Sequence, residues 1–278
     1  MRAGYDVTLC HGLVFFMLKP KYLPLAFLRS VVGLLLFISG LRRLHRVFDE
    51  KLPKIMYGYP MGGRIAYLHV PFGPRLISWY DEGSSVSLYD VLILRVYERY
   101  TKLRRDDIIV DVGAHVGSFA VSAAKRACLG LVIAVEPHPD NLRLLARNVE
   151  LNELTNVIVM QAACGSRSGK ARLVLGPWST AHTVSTAQTE TRKYLEVDAI
   201  TLDDLVDRLG LPYVSAIKID AEGAELDILR GANTVLRRHR PRLSIAAYHT
   251  PSEAHQIAEF LMRVQFKVKL QDGYVYAV

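Results

Sequence analysis

From residue 107 onward the chain alternates short aliphatic runs with longer stretches whose apolar residues recur every three or four positions. IIVDV (108–112), LVIAV (131–135), VIVMQA (157–162), VSAIKI (214–219) and RLSIAAY (242–248) read as strands covered on both faces. Residues 117–128, 140–151, 201–210, 222–238 and 251–263 read as helices. Strands and helices alternating at these lengths predict an α/β fold, a mostly parallel sheet with helices on both faces. GSRSGK (165–170) predicts a short hairpin, and EVDAI (196–200) a further extended piece. FKVKL (266–270) and YVYAV (274–278) are separated only by QDG. Asp-Gly between two such runs signals a hairpin, so the last strand is expected to be antiparallel, at the edge of the sheet.

The first third reads differently. Residues 59–85 combine Gly and Pro with short β-type runs, which predicts one or two hairpins and a loop. SLYDVLILRVYERY (87–100) has an apolar helical face and predicts a helix packed on the sheet. The division falls between an extension, residues 1–84, and a catalytic domain, residues 85–278.

Charge sharpens that division. The net charge is +8 over 278 residues, yet residues 1–75 hold eleven Lys/Arg against three Asp/Glu, and residues 76–278 hold twenty-four of each. LPLAFLRSVVGLLLFISGL (23–41) carries one charge and is flanked by KPK and RRLHR. Its length approaches the ~20 residues that span a bilayer, and basic flanks suit anionic headgroups. Residues 12–46 are therefore expected to contact a membrane surface, at its cytoplasmic face. Three scattered cysteines without metal-ligand spacing fit a reducing, cytoplasmic compartment. A neutral catalytic half argues against nucleic acid as partner.

The candidate chemistry sits at strand ends. IIVDVGAHVGSFA gives D-x-G-x-x-x-G: Asp111, Gly113 and Gly117, with His115 between the glycines. Asp111 would repel a pyrophosphate and suits a positively charged ligand without phosphate, such as S-adenosylmethionine with its ammonium and sulfonium groups. The next strand ends in Glu136, placed to accept both hydroxyls of a ribose.

VDVGAHVGSFA, AVEPHPDNLRLLARNVELN, AACGSRSGKARL, ITLDDL and above all IKIDAEGAELDILRGA resemble the FkbM-type family of class I, S-adenosylmethionine-dependent methyltransferases. The resemblance covers residues 106–249 and nothing before about residue 80. It implies a Rossmann-like class I sheet with an antiparallel last strand, S-adenosylmethionine as cofactor and methylation of a hydroxyl oxygen on a sugar, a lipid-linked glycan or a secondary metabolite. It places Asp111, Gly113, His115, Gly117, Glu136, Ala162 and Asp220 at the cofactor. The family often has a glutamate two residues before the histidine that follows the fifth strand; this chain has Ala247 there.

An alcohol is a poor nucleophile, so a positioned base helps its methylation. Asp220 ends its strand, Glu222 follows it, and His249 follows the next strand, which makes these three the catalytic candidates. No metal is needed in principle; one held by Asp220, Glu222 and His249 is the rival to proton transfer. Two other readings remain: a tRNA methyltransferase, and a membrane-associated module that binds S-adenosylmethionine without turnover.

Overall fold

A computed structural model of the protein describes residues 7–10, 13–16, 57–62, 65–69, 73–79, 84, 87–88, 90–185 and 193–278. The apolar segment 23–41 lies outside them; among the described residues no helix is long and apolar enough to cross a membrane. Strands β1 (Val7–Cys10) and β2 (Leu13–Phe16) pair antiparallel. β3 (Tyr57–Gly62), β4 (Ile65–His69) and β5 (Arg75–Trp79) form a three-stranded antiparallel sheet in that order. The segment predicted as one helix at 87–100 is helical at 87–88 and then continues as two short helical turns, Asp90–Leu94 and Val96–Glu98, broken at Arg95 in the left-handed region (φ 49°). The break brings Val91 and Leu92 on one side of it, and Val96 and Tyr97 on the other, into the same core.

The main sheet begins at β6 (Ile108–Val112), followed by α1 (Ser118–Arg126), β7 (Leu131–Val135), α2 (Pro139–Leu151) and β8 (Val157–Met160). All five residues of β6 are buried, because the two faces of the strand enter different cores. Val110 and Val112 point to one, Ile109 to the other, the period-2 alternation of a strand. α2 also holds the extension. Asn148 accepts the Ile77 N–H at 2.6 Å and donates to the Ile77 carbonyl at 2.8 Å. Asn152, four residues on, pairs with Arg75 in the same way at 3.0 and 2.6 Å. Two amides on one helical face thus imitate a neighbouring strand for β5.

β9 (Ala163–Cys164), β10 (Gly169–Val174), β11 (Thr183–Ser185) and β12 (Tyr194–Ile200) build a separate sheet in the order β11-β10-β12-β9. The predicted hairpin at 165–170 is therefore not one. β12 lies between β9, to which it runs parallel, and β10, to which it runs antiparallel. α3 (Leu202–Arg208) leads to β13 (Ala216–Ile219).

The helix expected over 222–238 is two helices, α4 (Glu225–Arg230) and α5 (Asn233–Arg238). The break has a partner: the Asp203 carboxylate of α3 accepts the N–H groups of Thr234 and Val235, capping α5 from outside. β14 (Arg242–Ala246), α6 (Glu253–Arg263), β15 (Val268–Gln271) and β16 (Tyr274–Ala277) complete the chain.

The seven-stranded order is β15-β16-β14-β13-β6-β7-β8. The last strand is antiparallel as expected, but it is not at the edge: β16 inserts between β14 and β15. β16 is wholly buried, whereas β15 carries an exposed Lys269 and forms the edge, where a lysine discourages further pairing. Strand order reverses between β6 and β13, and a crevice opens there at the carboxyl ends.

Candidate active site

That crevice is a cavity of about 310 Å³. Gly113, His115, Glu136, Ala162, Asp220 and Glu222 line it, all of them residues singled out by the sequence. Asp111, Gly117 and His249 do not. Gly113 (φ 71°) is required by close approach, since a Cβ there would lie 1.8 Å from the Asp220 carbonyl oxygen. Gly117 (φ 86°) faces Leu145, whose Cδ1 would lie 2.4 Å from its Cβ.

Asp111 is fully buried, and its register partner on β13 is Lys218. The Lys218 ammonium lies 3.0 Å from Asp111 Oδ1 and donates to the Gly113 carbonyl at 2.7 Å. Burial raises the Asp111 carboxyl, with the lysine opposing; the lysine is itself raised, its neighbouring carboxylates outweighing burial. A lysine in an otherwise apolar strand, AIKID, was the signal that a buried acid had to stand beside it.

Glu136 is buried at the end of β7. Its Oε2 accepts the His115 N–H at 2.9 Å, and Oε1 accepts from His138 N–H at 3.0 Å and Asn141 Nδ2 at 3.2 Å. Burial raises this carboxyl and those donors hold it down. Beyond it Ala162, Cys164 and Leu173 form an apolar wall. Residues 175–182 strap the opening. Ser179 Oγ lies 3.0 Å from His115 Nε2 and 2.9 Å from Ser84 Oγ, while the Ser179 carbonyl accepts from Asn141 at 3.0 Å. His182 lies on the same strap, lines the cavity and stacks on His138 at 4.4 Å.

Asp220 follows β13 with one oxygen fixed, its Oδ2 accepting from the Tyr97 hydroxyl at 2.7 Å. Burial, then Asp220, raises the Tyr97 hydroxyl well above its ordinary value, so it stays a donor. Glu222 stands in the left-handed region (φ 53°); burial first and Asp220 second push its carboxyl up to about 7. His249 stands behind both, its Nε2 4.0 Å from Asp220 Oδ1 and 3.6 Å from Glu222 Oε2. Glu225 is fully buried and accepts the Ala221 N–H at 2.7 Å. Glu253 accepts both the N–H and Nδ1 of His249, at 2.9 and 3.2 Å. Its position, four residues after the histidine, was the only sequence signal for it.

The sequence model of the Methyltransferase FkbM domain matches residues 111–276. The chain belongs to the FkbM methyltransferase family. A hexuronic acid methyltransferase, AglP, of Haloferax volcanii is 32% identical over 134 residues, 48% of this chain and 52% of that protein. Methyltransferase 1 of Beauveria bassiana is 28% identical over 145 residues, 45% of this chain and 58% of the relative. The chain thus spans little more than half the length of these curated relatives. The crystal structure of an FkbM methyltransferase from Methylobacillus flagellatus shares the fold at a TM-score of 0.51 and 21% identity, over 68% of this chain and 48% of that one.

The cavity of this FkbM domain fits the family's cofactor, S-adenosylmethionine. Asp90, Glu136, Asp220 and Glu222 line it, and its lysine is already committed to Asp111. An acidic pocket of this kind favours a sulfonium and an ammonium and disfavours phosphate.

Proposed function

We propose that this chain transfers a methyl group from S-adenosylmethionine to a hydroxyl oxygen of a small acceptor, a sugar or a hydroxylated secondary metabolite. The observation that carries the reading is the acidic cavity at the point where strand order reverses, with Glu136 and Asp220 at the ends of β7 and β13. Glu136 would hold one ribose hydroxyl on the acceptor position that its three protein donors leave, and the apolar wall from Ala162 to Leu173 would take the adenine. The cofactor supplies an electrophilic methyl carbon on sulfur.

The chain's own work is alignment, exclusion of water and removal of one proton. Asp220 and Glu222 line the cavity beside the half-exposed rings of Trp178 and Tyr248. Carboxylates that accept hydroxyl hydrogens, next to rings that cover an apolar sugar face, suit a polyhydroxylated acceptor. Asp220 and Glu222 would take the proton that the acceptor hydroxyl gives up when its oxygen receives the methyl group. One relative supports the choice of class, the methyltransferase AglP, which is named for hexuronic acid.

The test is a transfer screen. The full chain is incubated with methyl-labelled S-adenosylmethionine and panels of uronic acids, polyols, hydroxylated polyketides and tRNA. Alkali-stable label on a hydroxylated small molecule is expected. Label on tRNA alone would overturn the acceptor class, and a chain that binds NADH in place of S-adenosylhomocysteine would overturn the cofactor.

A further inference from the structure

The group behind Asp220 and Glu222 has an electrostatic imbalance that methyl transfer alone does not explain. Four carboxylates, of Asp220, Glu222, Glu225 and Glu253, lie within 4.0 Å of the His249 ring nitrogens. Among the described residues no lysine or arginine forms an ion pair with any of the four; Lys218 is paired with Asp111. Crowding this many buried carboxylates around one imidazole is costly unless a cation holds them together.

The hydrogen-bonding pattern narrows what is missing. Glu253 Oε2 accepts from the His249 backbone N–H, and the same oxygen faces Nδ1 at 3.2 Å. With Nδ1 turned to Glu253, Nε2 is the ring nitrogen left facing the cluster. It stands 4.0 Å from Asp220 Oδ1 and 3.6 Å from Glu222 Oε2. These atoms therefore face one another at separations longer than hydrogen bonds. Asp220 Oδ1, Glu225 Oε2 and His249 Nε2 are all buried and without a hydrogen-bond partner. The Glu225 side chain is fully enclosed, so no water layer screens it.

We propose that Asp220, Glu225 and His249 bind a divalent metal ion at the carboxyl ends of β13 and β14, with Glu253 holding the imidazole as an outer carboxylate. The three residues each bring one ligand atom to within 4.8 Å of the other two. Around an ion with bonds of about 2.1 Å, ligand atoms stand at most roughly 4.2 Å apart; Asp220 Oδ1 and His249 Nε2, 4.0 Å apart, already meet this, and the ion would draw the Glu225 carboxylate in to join them. A carboxylate behind the ligating histidine is the usual outer partner of a bound metal, fixing tautomer and ring orientation. Two carboxylates with one imidazole suit a first-row ion such as Mn²⁺ better than Ca²⁺. The ion would fasten the 220–225 turn to the end of β14. It would also fix the Asp220 oxygen that Tyr97 leaves free, and keep open positions for water or for acceptor oxygens.

The inference rests on the methyl-transfer reading only for its role, and the experiment separates the two. Mn²⁺ is titrated into the full chain and the free-ion signal is followed by electron paramagnetic resonance. S-Adenosylhomocysteine binding is measured on the same samples by calorimetry. One saturable Mn²⁺ site per chain is expected, weakened more than about a hundredfold in His249→Gln and in Glu225→Gln, beyond the roughly 10–100-fold that loss of an outer partner costs. Product binding is expected to change less than about twofold in His249→Gln, whose side chain lies outside the cavity. His249→Gln carries the test if Glu225→Gln does not fold. Absence of a saturable Mn²⁺ site overturns the proposal, as does equal affinity in wild type and folded variant. A chain that binds Mn²⁺ as expected but not S-adenosylhomocysteine keeps the metal site and loses the methyl-transfer reading.

Discussion

Lys218 Nζ bridges Asp111 Oδ1, at 3.0 Å, and the carbonyl of Gly113, at 2.7 Å. The acidic residue that opens the glycine turn thus acts through a lysine on the neighbouring strand, and that lysine holds the turn. Asp111→Asn keeps the shape and removes the charge that Lys218 needs. Removing one partner of a buried pair costs roughly 3–5 kcal/mol. Urea unfolding should register a loss of that order, with S-adenosylhomocysteine affinity falling by less. Lost affinity at unchanged stability would instead mean that Asp111 touches the ligand.

Glu136 is the counterpart on the cofactor side. Glu136→Gln keeps an acceptor for only one of the His115 and His138 N–H groups, sets an NH2 against the other, and removes the charge offered to the ribose. Calorimetry should show S-adenosylmethionine binding weakened by about 1.5–3 kcal/mol, the value of a charge-assisted bond. An unchanged affinity would move the ribose elsewhere in the cavity.

The link between β5 and α2 rests on side-chain amides. Asn148→Ala strands the Ile77 N–H, the Ile77 carbonyl and the Val116 carbonyl, to which Nδ2 donates at 2.7 Å. One unsatisfied buried group costs about 1–3 kcal/mol, so the denaturation midpoint should drop clearly. Asn156→Ala, which frees only the carbonyls of Ala124 and Ala127, should cost less. Equal stability of Asn148→Ala and wild type would show that β5 does not dock there.

Cys164 lines the cavity, but burial pushes its thiol up to about 12. A raised value leaves almost no thiolate near neutral pH, and the thiolate is the reactive form. Peptide mapping after iodoacetamide treatment should find the exposed Cys128 modified and Cys164 intact. Modification of Cys164 at the rate of Cys128 would mean that the cavity wall opens.

Much of this architecture is written in local pattern. Aliphatic runs located β6, β7, β8, β13 and β14, and their ends located Gly113, Glu136 and Asp220, because ligand-facing residues follow strands. What local pattern lacks is neighbourhood. Nothing near Asp111 announces Lys218, which lies more than a hundred positions away and meets it only because β13 pairs with β6. Tyr97 reaches Asp220 because a left-handed residue, Arg95, breaks what reads as one helix. The Asp-Gly turn fixed the pairing of β15 with β16 but not which of them is inside; the lysines of FKVKL against the unbroken apolar face of YVYAV held that information. Nothing local marks Glu225 as buried, because its surroundings come from distant residues, His249 after β14 and Glu253 on α6.

The close approach at Gly113 has a mechanical consequence. Where a side chain would collide with the Asp220 carbonyl, main chain rests directly on main chain. On the proposed reading, the turn at Gly113 that would carry the methyl donor and the Asp220 carboxylate that would face the acceptor are two ends of one rigid joint, with no deformable side chain between them. Substitutions on the strap at 175–182 can reshape the acceptor's side of the chamber while the donor–carboxylate spacing stays set by backbone alone. A fold built this way can exchange one acceptor for another without having to realign the reaction each time.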